Sequence, residues 1–230
     1  MLIHRIAIIT ARGGSKRIPK KNIKDFCGKP IICYSIEAAL KAEIFDEVMV
    51  STDSEEIAEI AKRAGAKVPF FRSKKAADDF ASTADVIMEV LEHYRDIGKE
   101  FDSICCIYPT APFVTEEKLR KAMRILEEKN AKKVLPVVPF SYPPQRAYIR
   151  DGQYIYMKEP KNANKRSQDL EIMYHDCGQF YGYNVKSFMQ TKGQIWENVI
   201  PIIMPESEVQ DIDNEEDWKI AELKYQIMKK

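Results

Sequence analysis

Apolar residues along this chain fall into two alternating patterns. Solid runs such as Ile6 to Ile9 and "EVMVSTD" (47–53) have the length and density of buried strands. Between them, 31–42 ("IICYSIEAALKA") spaces Ile32, Ile36 and Leu40 as one face of a helix. Asp53 stands three residues before Glu56, the spacing of a capping box, ahead of Ile57, Ile60, Ala61 and Ala64 at helical intervals. The alternation repeats. "KVPFF" (67–71) reads as a short strand, and a helix follows from about Ser82 with Ile87, Val90, Leu91 and Tyr94 on one face. "SICCIYP" (103–109) precedes a helix carrying Leu119, Ala122, Met123 and Leu126, and "KVLPVVP" (133–139) is a further strand.

The pattern breaks after Pro139. Residues 140–165 hold a Pro-Pro pair, an Asp151-Gly152 turn signal and tyrosines at alternating positions, which reads as a β-ribbon or arm. Strands at about 179–185 and 199–204 and a helix at 214–228 return the chain to the main body. Strands alternating with helices imply βαβ units, so the expected fold is α/β. Its sheet should be doubly wound, mostly parallel and Rossmann-like, within a single domain over 1–230 from which the arm projects.

Composition leaves that picture unchanged. Of 230 residues, 45% are hydrophobic and 31% charged, as in ordinary globular proteins, and the 36 Lys+Arg balance 35 Asp+Glu. That balance argues against general affinity for nucleic acid or an anionic membrane. No apolar run is long enough to span a bilayer, and "MLIHRIAII" lacks the features of a signal peptide. The five cysteines include no C-x-x-C pair and read as buried thiols in a reducing compartment, so the expected location is cytoplasmic.

Charge placement is more informative than its sum. The first 24 residues contain seven Lys/Arg and no acid, whereas "ESEVQDIDNEED" (206–217) contains seven acids and no base. The basic segment, "ARGGSKRIPKKN", follows the first strand, and open parallel sheets bind ligands beyond the carboxyl ends of their strands. Gly13 and Gly14 allow backbone N–H groups to approach an anion, and Arg12, Lys16, Arg17, Lys20 and Lys21 have the charge to neutralise a triphosphate. Neither G-x-G-x-x-G nor G-x-x-x-x-G-K-[ST] occurs, and a solvated basic loop is the plain alternative. In "QDID", Asp211 and Asp213 lie on one side of an extended segment and suit Mg²⁺, which takes one or two carboxylates plus phosphate oxygens. Asp213 with Glu216 has capping-box spacing, so a structural role stands beside the metal role. His4, His93 and His175 show no metal-ligand spacing; only His175, in "YHDCGQFYGYN", is placed to line a pocket.

Four motifs in order, "ARGGSKRIPKKN", "VSTD", "YPTAPF" and "QDIDNEEDW", resemble the cytidylyltransferases that activate nonulosonic acids. "PVVPFSYPPQRA", "RSQDLE" and "YHDCGQFY" are closer to the pseudaminic acid branch of that family than to its sialic acid branch. The resemblance implies an enzyme that joins CMP from CTP to the anomeric hydroxyl of a sugar acid, releases pyrophosphate and requires Mg²⁺. It implies that Arg12 and Lys21 hold phosphates together with Ala11, Gly13, Gly14 and Ser15, and that Asn22 contacts the nucleotide. Arg72, Ala81 and Thr83 would sit by cytosine and ribose. Asp211 and Asp213 would hold the metal and count, with Arg12 and Lys21, as catalytic. For the sugar acid it points to Tyr108, Arg166, Gln168, His175, Gln179 and Tyr181, and for the arm to a homodimer contact. The sialic acid branch has Gln at the position of Tyr108 and "RPNG" where this chain has "HDCG" (175–178).

The expected function is therefore CTP-dependent activation of pseudaminic acid. N-acetylneuraminic or legionaminic acid is the same-class alternative, and a non-catalytic binder of RNA or a regulatory nucleotide is the different-class one. The acidic "QDID" pair disfavours the last, because it repels a polyanion unless a metal intervenes.

Overall fold

The computed structural model describes residues 3–78 and 80–229. The first apolar run forms β1 (Arg5–Thr10), and a basic loop leads from it into a two-stranded ribbon, β2 (Asp25–Phe26) and β3 (Lys29–Pro30). The chain continues through α1 (Ile32–Ala42), β4 (Glu47–Ser51), α2 (Glu55–Arg63), α3 (Thr83–Asp96), β5 (Ser103–Ile107), α4 (Glu116–Glu128) and β6 (Lys133–Pro139). The arm is a hairpin of β7 (Tyr148–Asp151) and β8 (Tyr154–Met157). Then come β9 (Tyr174–Asp176), β10 (Phe180–Asn184), α5 (Val185–Thr191), β11 (Val199–Ile203) and α6 (Glu215–Met228).

The main sheet runs β11-β6-β10-β5-β1-β4, with β9 also paired to β6. β1 is parallel to both β4 and β5, and β11 is parallel to β6, whereas β10 runs antiparallel between β5 and β6. The expected doubly wound, mostly parallel architecture is present, with β10 as the reversed strand. Because β4 and β5 lie on opposite sides of β1, the chain switches direction of winding there. That opens a crevice at the carboxyl end of β1, where open α/β sheets bind ligands.

Helices cover both faces, as near-continuous apolar strands require. On one face, Ile36 of α1, Ile57 of α2 and Leu119 and Met123 of α4 pack on Ala7, Ile9, Cys105 and Phe180. On the other, Ile87 and Val90 of α3 and Phe188 of α5 pack on Ile6, Ile8, Ile104 and Tyr183. A third core joins Ile18 of the basic loop, Phe26 and Tyr34 to Ile212 and Trp218 at the start of α6. The Phe26 and Trp218 rings meet edge-to-face at 5.6 Å.

Several local expectations are corrected. Residues 67–71 do not form a full strand: Lys67 bridges Met49 and exchanges two backbone bonds with Val48 and Val50, then Pro69 removes a donor and the chain turns toward Arg72. Ser54, not Asp53, caps α2 by accepting from Ile57 N, because the Asp53 carboxylate is used by Gly13 N at 2.8 Å. At α6 the cap is Asn214 with Asp217, one residue after the expected Asp213 with Glu216. Leu40 is part-exposed at the margin of α1, and the buried stripe runs through Ile32, Ile36 and Ala39. Cys105, Cys106 and Cys177 are buried, but Cys27 is exposed in the turn between β2 and β3. The arm hairpin forms as expected, with Gly152 at φ 58 in its turn. Among the described residues no helix is long and apolar enough to cross a membrane.

Candidate active site

The basic loop leaves β1 at the switch point and is held from beneath. Ala11 N donates to Ser51 O at 3.0 Å, continuing the β1–β4 ladder, and buried Ile18 ties the loop to the third core. Gly13 approaches the start of α2 so closely that a Cβ there would lie 3.1 Å from Ser54 Cβ, so a larger residue would push the loop off its support. Lys20 takes a left-handed conformation (φ 52) and starts a single 3₁₀ turn that buries Asn22, whose Nδ2 donates to Arg12 O at 2.8 Å.

Above this loop lies an open cleft of about 380 Å³. Arg12, Ser15, Lys16, Arg17, Lys21 and Asn22 form one wall. Arg72, Ala76, Asp78, Ala81 and Thr83 form a second wall, and Tyr108, Pro109 and Thr110 close the end of β5. Five cations and one carboxylate therefore line the cleft, which answers the charge asymmetry read in the sequence. Of the residues expected to bind the nucleotide, Arg12, Ser15, Lys21, Asn22, Arg72, Ala81 and Thr83 line this cleft. Ala11, Gly13 and Gly14 do not; Ala11 is buried and Gly13 faces the start of α2.

Arg72 is the most constrained of the cations. It is 8% exposed, its Nε donates to Ser51 Oγ at 3.1 Å and one terminal nitrogen to Ser51 O at 2.8 Å. Burial lowers its pKa, while Asp53 and Glu89 pull it back up. Such a side chain presents its remaining donors in a fixed direction.

The acidic segment meets the basic loop from α6. Lys21 Nζ donates to Ile212 O and lies 4.0 Å from Asp213 Oδ1, while an Arg17 nitrogen is 2.6 Å from that same oxygen. Burial lowers the pKa of Lys21, and the charges of Asp213 and Asp211 oppose that shift. The loop that carries both aspartates is pinned behind by Lys118 to Glu208 (2.6 Å) and by Gln179 Nε2 donating to Glu208 O (2.6 Å). Among the described residues no cluster of three or more His, Cys, Asp or Glu side chains is placed to hold a metal by itself.

The residues expected on the sugar side are scattered. Tyr108 lines the cleft, its hydroxyl 3.5 Å from Thr83 Oγ1, and its ring lies 5.4 Å from that of Tyr181. Tyr181 donates to Asp176 Oδ1 at 3.0 Å. Gln179 is buried and spent on Glu208 O, with its Oε1 left without a partner. Arg166 is solvent-facing and paired with Asp169 at 2.8 and 3.0 Å, Gln168 is exposed beside it, and His175 is exposed against the Phe140 ring. None of the last four reaches the cleft within this chain. Sequence reasoning missed Ile18 and Ile212, whose joint burial brings the two charged loops together. Their signal was present, as isolated apolar residues inside otherwise charged segments.

Comparison with known proteins places this geometry. A cytidylyltransferase family profile matches residues 6–198. The chain is 41% identical over 223 residues to a pseudaminic acid cytidylyltransferase of Campylobacter jejuni, covering 96% of each. It is 34% identical over 224 residues to a CMP-N,N'-diacetyllegionaminic acid synthase of Legionella pneumophila, covering 94% of each. A CMP:2-keto-3-deoxy-manno-octonic acid synthetase solved with CTP shares the fold at a TM-score of 0.70 and 17% identity, covering 98% of this chain and 99% of that one. A sheet wound about β1, a basic cleft at its carboxyl end and a profile spanning most of the sequence agree: this chain belongs to the cytidylyltransferase family.

Proposed function

We propose that the protein transfers CMP from CTP to the anomeric hydroxyl of pseudaminic acid. The observation that carries the reading is the facing pair of loops: five cations line one cleft, Asp213 pairs with Arg17 and lies 4.0 Å from Lys21, and the charge of Asp211 also bears on Lys21. In the reaction, the sugar oxygen forms a bond to the α-phosphorus of CTP as the bond from that phosphorus to the β-phosphate oxygen breaks. The hydroxyl proton passes to solvent, and pyrophosphate leaves with the electron pair of the broken P–O bond. Transfer of this kind is catalysed mainly by positioning and by neutralising charge.

In this reading Arg12 and Lys21 hold the triphosphate, with Ser15 beside them in the cleft. Arg72, fixed by Ser51, turns its free donors toward the acceptors of the cytosine edge, with Ala81 and Thr83 beside the ribose. Two carboxylates that both bear on Lys21 suit a hard cation, which would take its remaining positions from phosphate and water. Mg²⁺ there would supply neutralising charge to the triphosphate. Arg17 and Lys21 hold that corner now, and they would turn toward phosphate when nucleotide enters.

The sugar follows from the aromatic side of the cleft. Pseudaminic acid carries N-acyl groups and a methyl terminus, and Tyr108 and Tyr181 offer ring faces where the sialic acid branch has an amide at the first position. Burying extra hydroxyls against rings costs roughly 1–3 kcal/mol each. The expected kcat/KM therefore favours pseudaminic acid over N-acetylneuraminic acid by at least ~10²-fold, and Tyr108→Gln should narrow the gap. Pyrophosphate release from CTP, measured with a panel of nonulosonic acids, tests this directly. Equal turnover of the two acids would transfer the assignment to the sialic acid reaction.

A further inference from the structure

Beyond Tyr108 the sheet carries an aromatic cluster that the nucleotide does not need, with Tyr181 and Tyr183 buried and Trp196 at its exposed edge. Tyr181 and Tyr183 alternate along β10 toward the face that bears α3 and α5, and their rings stack at 6.3 Å. Lys133, the first residue of β6, is in register with Tyr183. Its Nζ stands 5.4 Å from the centre of the Tyr181 ring, 5.6 Å from that of Tyr183 and 6.0 Å from that of Trp196. Three rings thus frame one ammonium.

Two features set this lysine apart. It is half-buried, yet among the described residues no oxygen accepts a hydrogen bond from its Nζ and no carboxylate pairs with it. Burial lowers its pKa, and Asp176 is the charge that opposes the shift. Trp196, meanwhile, is 82% exposed beside it, a large ring left in water next to a cation. A solvated lysine merely covering rings with its stem is the plain reading, and the test below separates the two.

We infer that Lys133, framed by Tyr181, Tyr183 and Trp196, is a specificity subsite that donates a hydrogen bond to the carbonyl oxygen of an N-acyl group on the sugar acid, with the exposed Trp196 ring receiving the acyl methyl. This inference rests on the sugar-acid reading above and deepens it. The choice of an acyl carbonyl over the sugar's carboxylate follows from position. That carboxylate sits on the anomeric carbon, which must stay beside the phosphates at the carboxyl ends of β1 and β5. Lys133 lies toward the opposite end of the sheet, level through Tyr183 with Ile104, and Tyr108, just past β5, is four residue steps on from Ile104, about 13 Å of extended chain. Even with its side chain reaching back to Tyr181, it meets the distal part of the acceptor. Asp176 nearby also disfavours a second anion, whereas a neutral amide oxygen satisfies the ammonium without repelling it.

The experiment compares the unmodified protein with Lys133→Met, which keeps the apolar stem, and with Lys133→Arg, which restores a donor. Pyrophosphate release gives separate KM values for CTP and for the sugar acid, and thermal stabilisation by CTP reports folding and nucleotide binding. The expected result is a sugar KM raised ~10-fold or more in Lys133→Met, on the scale of losing a hydrogen bond to a charged donor. The response to CTP should stay unchanged, and Lys133→Arg should recover part of the loss. With a sugar acid whose acyl groups are replaced by free amines, the difference between the proteins should vanish. An unchanged sugar KM in Lys133→Met, or a loss that persists with the amine analogue, overturns the subsite while leaving CMP transfer intact. Absence of turnover on any nonulosonic acid by the unmodified protein overturns the reading beneath, and this inference with it.

Discussion

Arg72 and Arg166 are both arginines that the sequence assigns to a substrate, and the fold treats them in opposite ways. Arg72 is sealed against β4, with two of its donors fixed on Ser51. Arg166 lies on the surface beyond the arm hairpin, its side chain 72% exposed and paired with Asp169 three residues on. The same contrast holds for their neighbourhoods. The nucleotide side is built on strand ends, with Asn22 and Ile18 buried beneath the basic loop, whereas the hairpin leaves Tyr148, Tyr154, Ile155 and Tyr156 in solvent. The cleft proposed for nucleotide is held in place by the sheet and the core beneath it. The hairpin carries exposed apolar surface, and we propose that a second copy of the chain covers it.

The largest effect should come from the acidic loop. Asp211→Asn and Asp213→Asn should each lower kcat/KM by ~10³-fold, because each removes a negative charge from the corner proposed to hold triphosphate and cation. Excess chelator should abolish pyrophosphate release from the unmodified protein. Full turnover in chelator would reduce the acidic loop to a structural element and remove half of the contrast.

Next in size, Lys21→Ala should cost ~10²-fold in kcat/KM, on the scale of one lost charge-stabilising donor. The fold should persist, since Lys21 contributes one bond to Ile212 O while Ile212 itself stays packed in the third core. A rate near that of the unmodified protein would return the basic loop to solvent.

These two regions were not equally legible in the sequence. Buried strands and helix faces were readable because burial imposes a period: Ile87, Val90, Leu91 and Tyr94 line one side of α3, and Leu119, Ala122, Met123 and Leu126 one side of α4, as their spacing implies. The cleft was readable because its charges cluster next to a strand end. Caps were misplaced by one residue at α2 and α6, since Asp53-Ser54 and Asp213-Asn214 each offer two good capping residues in a row and only three-dimensional demand selects between them. At α2 the demand comes from Gly13, which takes the Asp53 carboxylate. On the sugar side no period operates. Gln179 reads as a polar pocket residue, but its amide is used to hold Glu208 O. Lys133, at the head of an apolar strand, carries no local sign of the three rings that surround it.

A smaller effect tests the arm. The protein should sediment as a dimer at micromolar concentration, and Ile155→Asp, which places a charge on the exposed hairpin, should shift it toward monomer. In that variant, and in Arg166→Met, the sugar KM should rise ~10-fold, comparable to losing one charged hydrogen bond, while stabilisation by CTP is unchanged. A monomeric unmodified protein with full activity would show that the acceptor half is complete within one chain, and the contrast with the nucleotide half would disappear.

The smallest effect separates chemistry from folding at adjacent positions. Asn214 Oδ1 accepts from Glu216 N at 2.9 Å and Asp217 N at 3.0 Å, and Asp217 Oδ2 accepts in return from Asn214 N at 3.1 Å and from Asp213 N at 2.9 Å. Asp213 thus enters the cap through its backbone alone, and its carboxylate faces Arg17 and Lys21. Asn214→Ala removes the capping acceptor and should destabilise the fold by about 1 kcal/mol, seen as a fall in Tm of roughly 2–4 °C for a chain of this size. Its kcat/KM below that transition should stay within about twofold of the unmodified value, a small ratio that a change of well under 1.4 kcal/mol permits. Asp213→Asn should do the reverse. It leaves the cap bonds in place and gives up an ion pair to an exposed arginine, worth about 0–1 kcal/mol, yet it is one of the two changes expected to stop catalysis. If Asp213→Asn lost activity only in proportion to lost folded protein while Asn214→Ala lost activity outright, the roles of these neighbours would have to be exchanged.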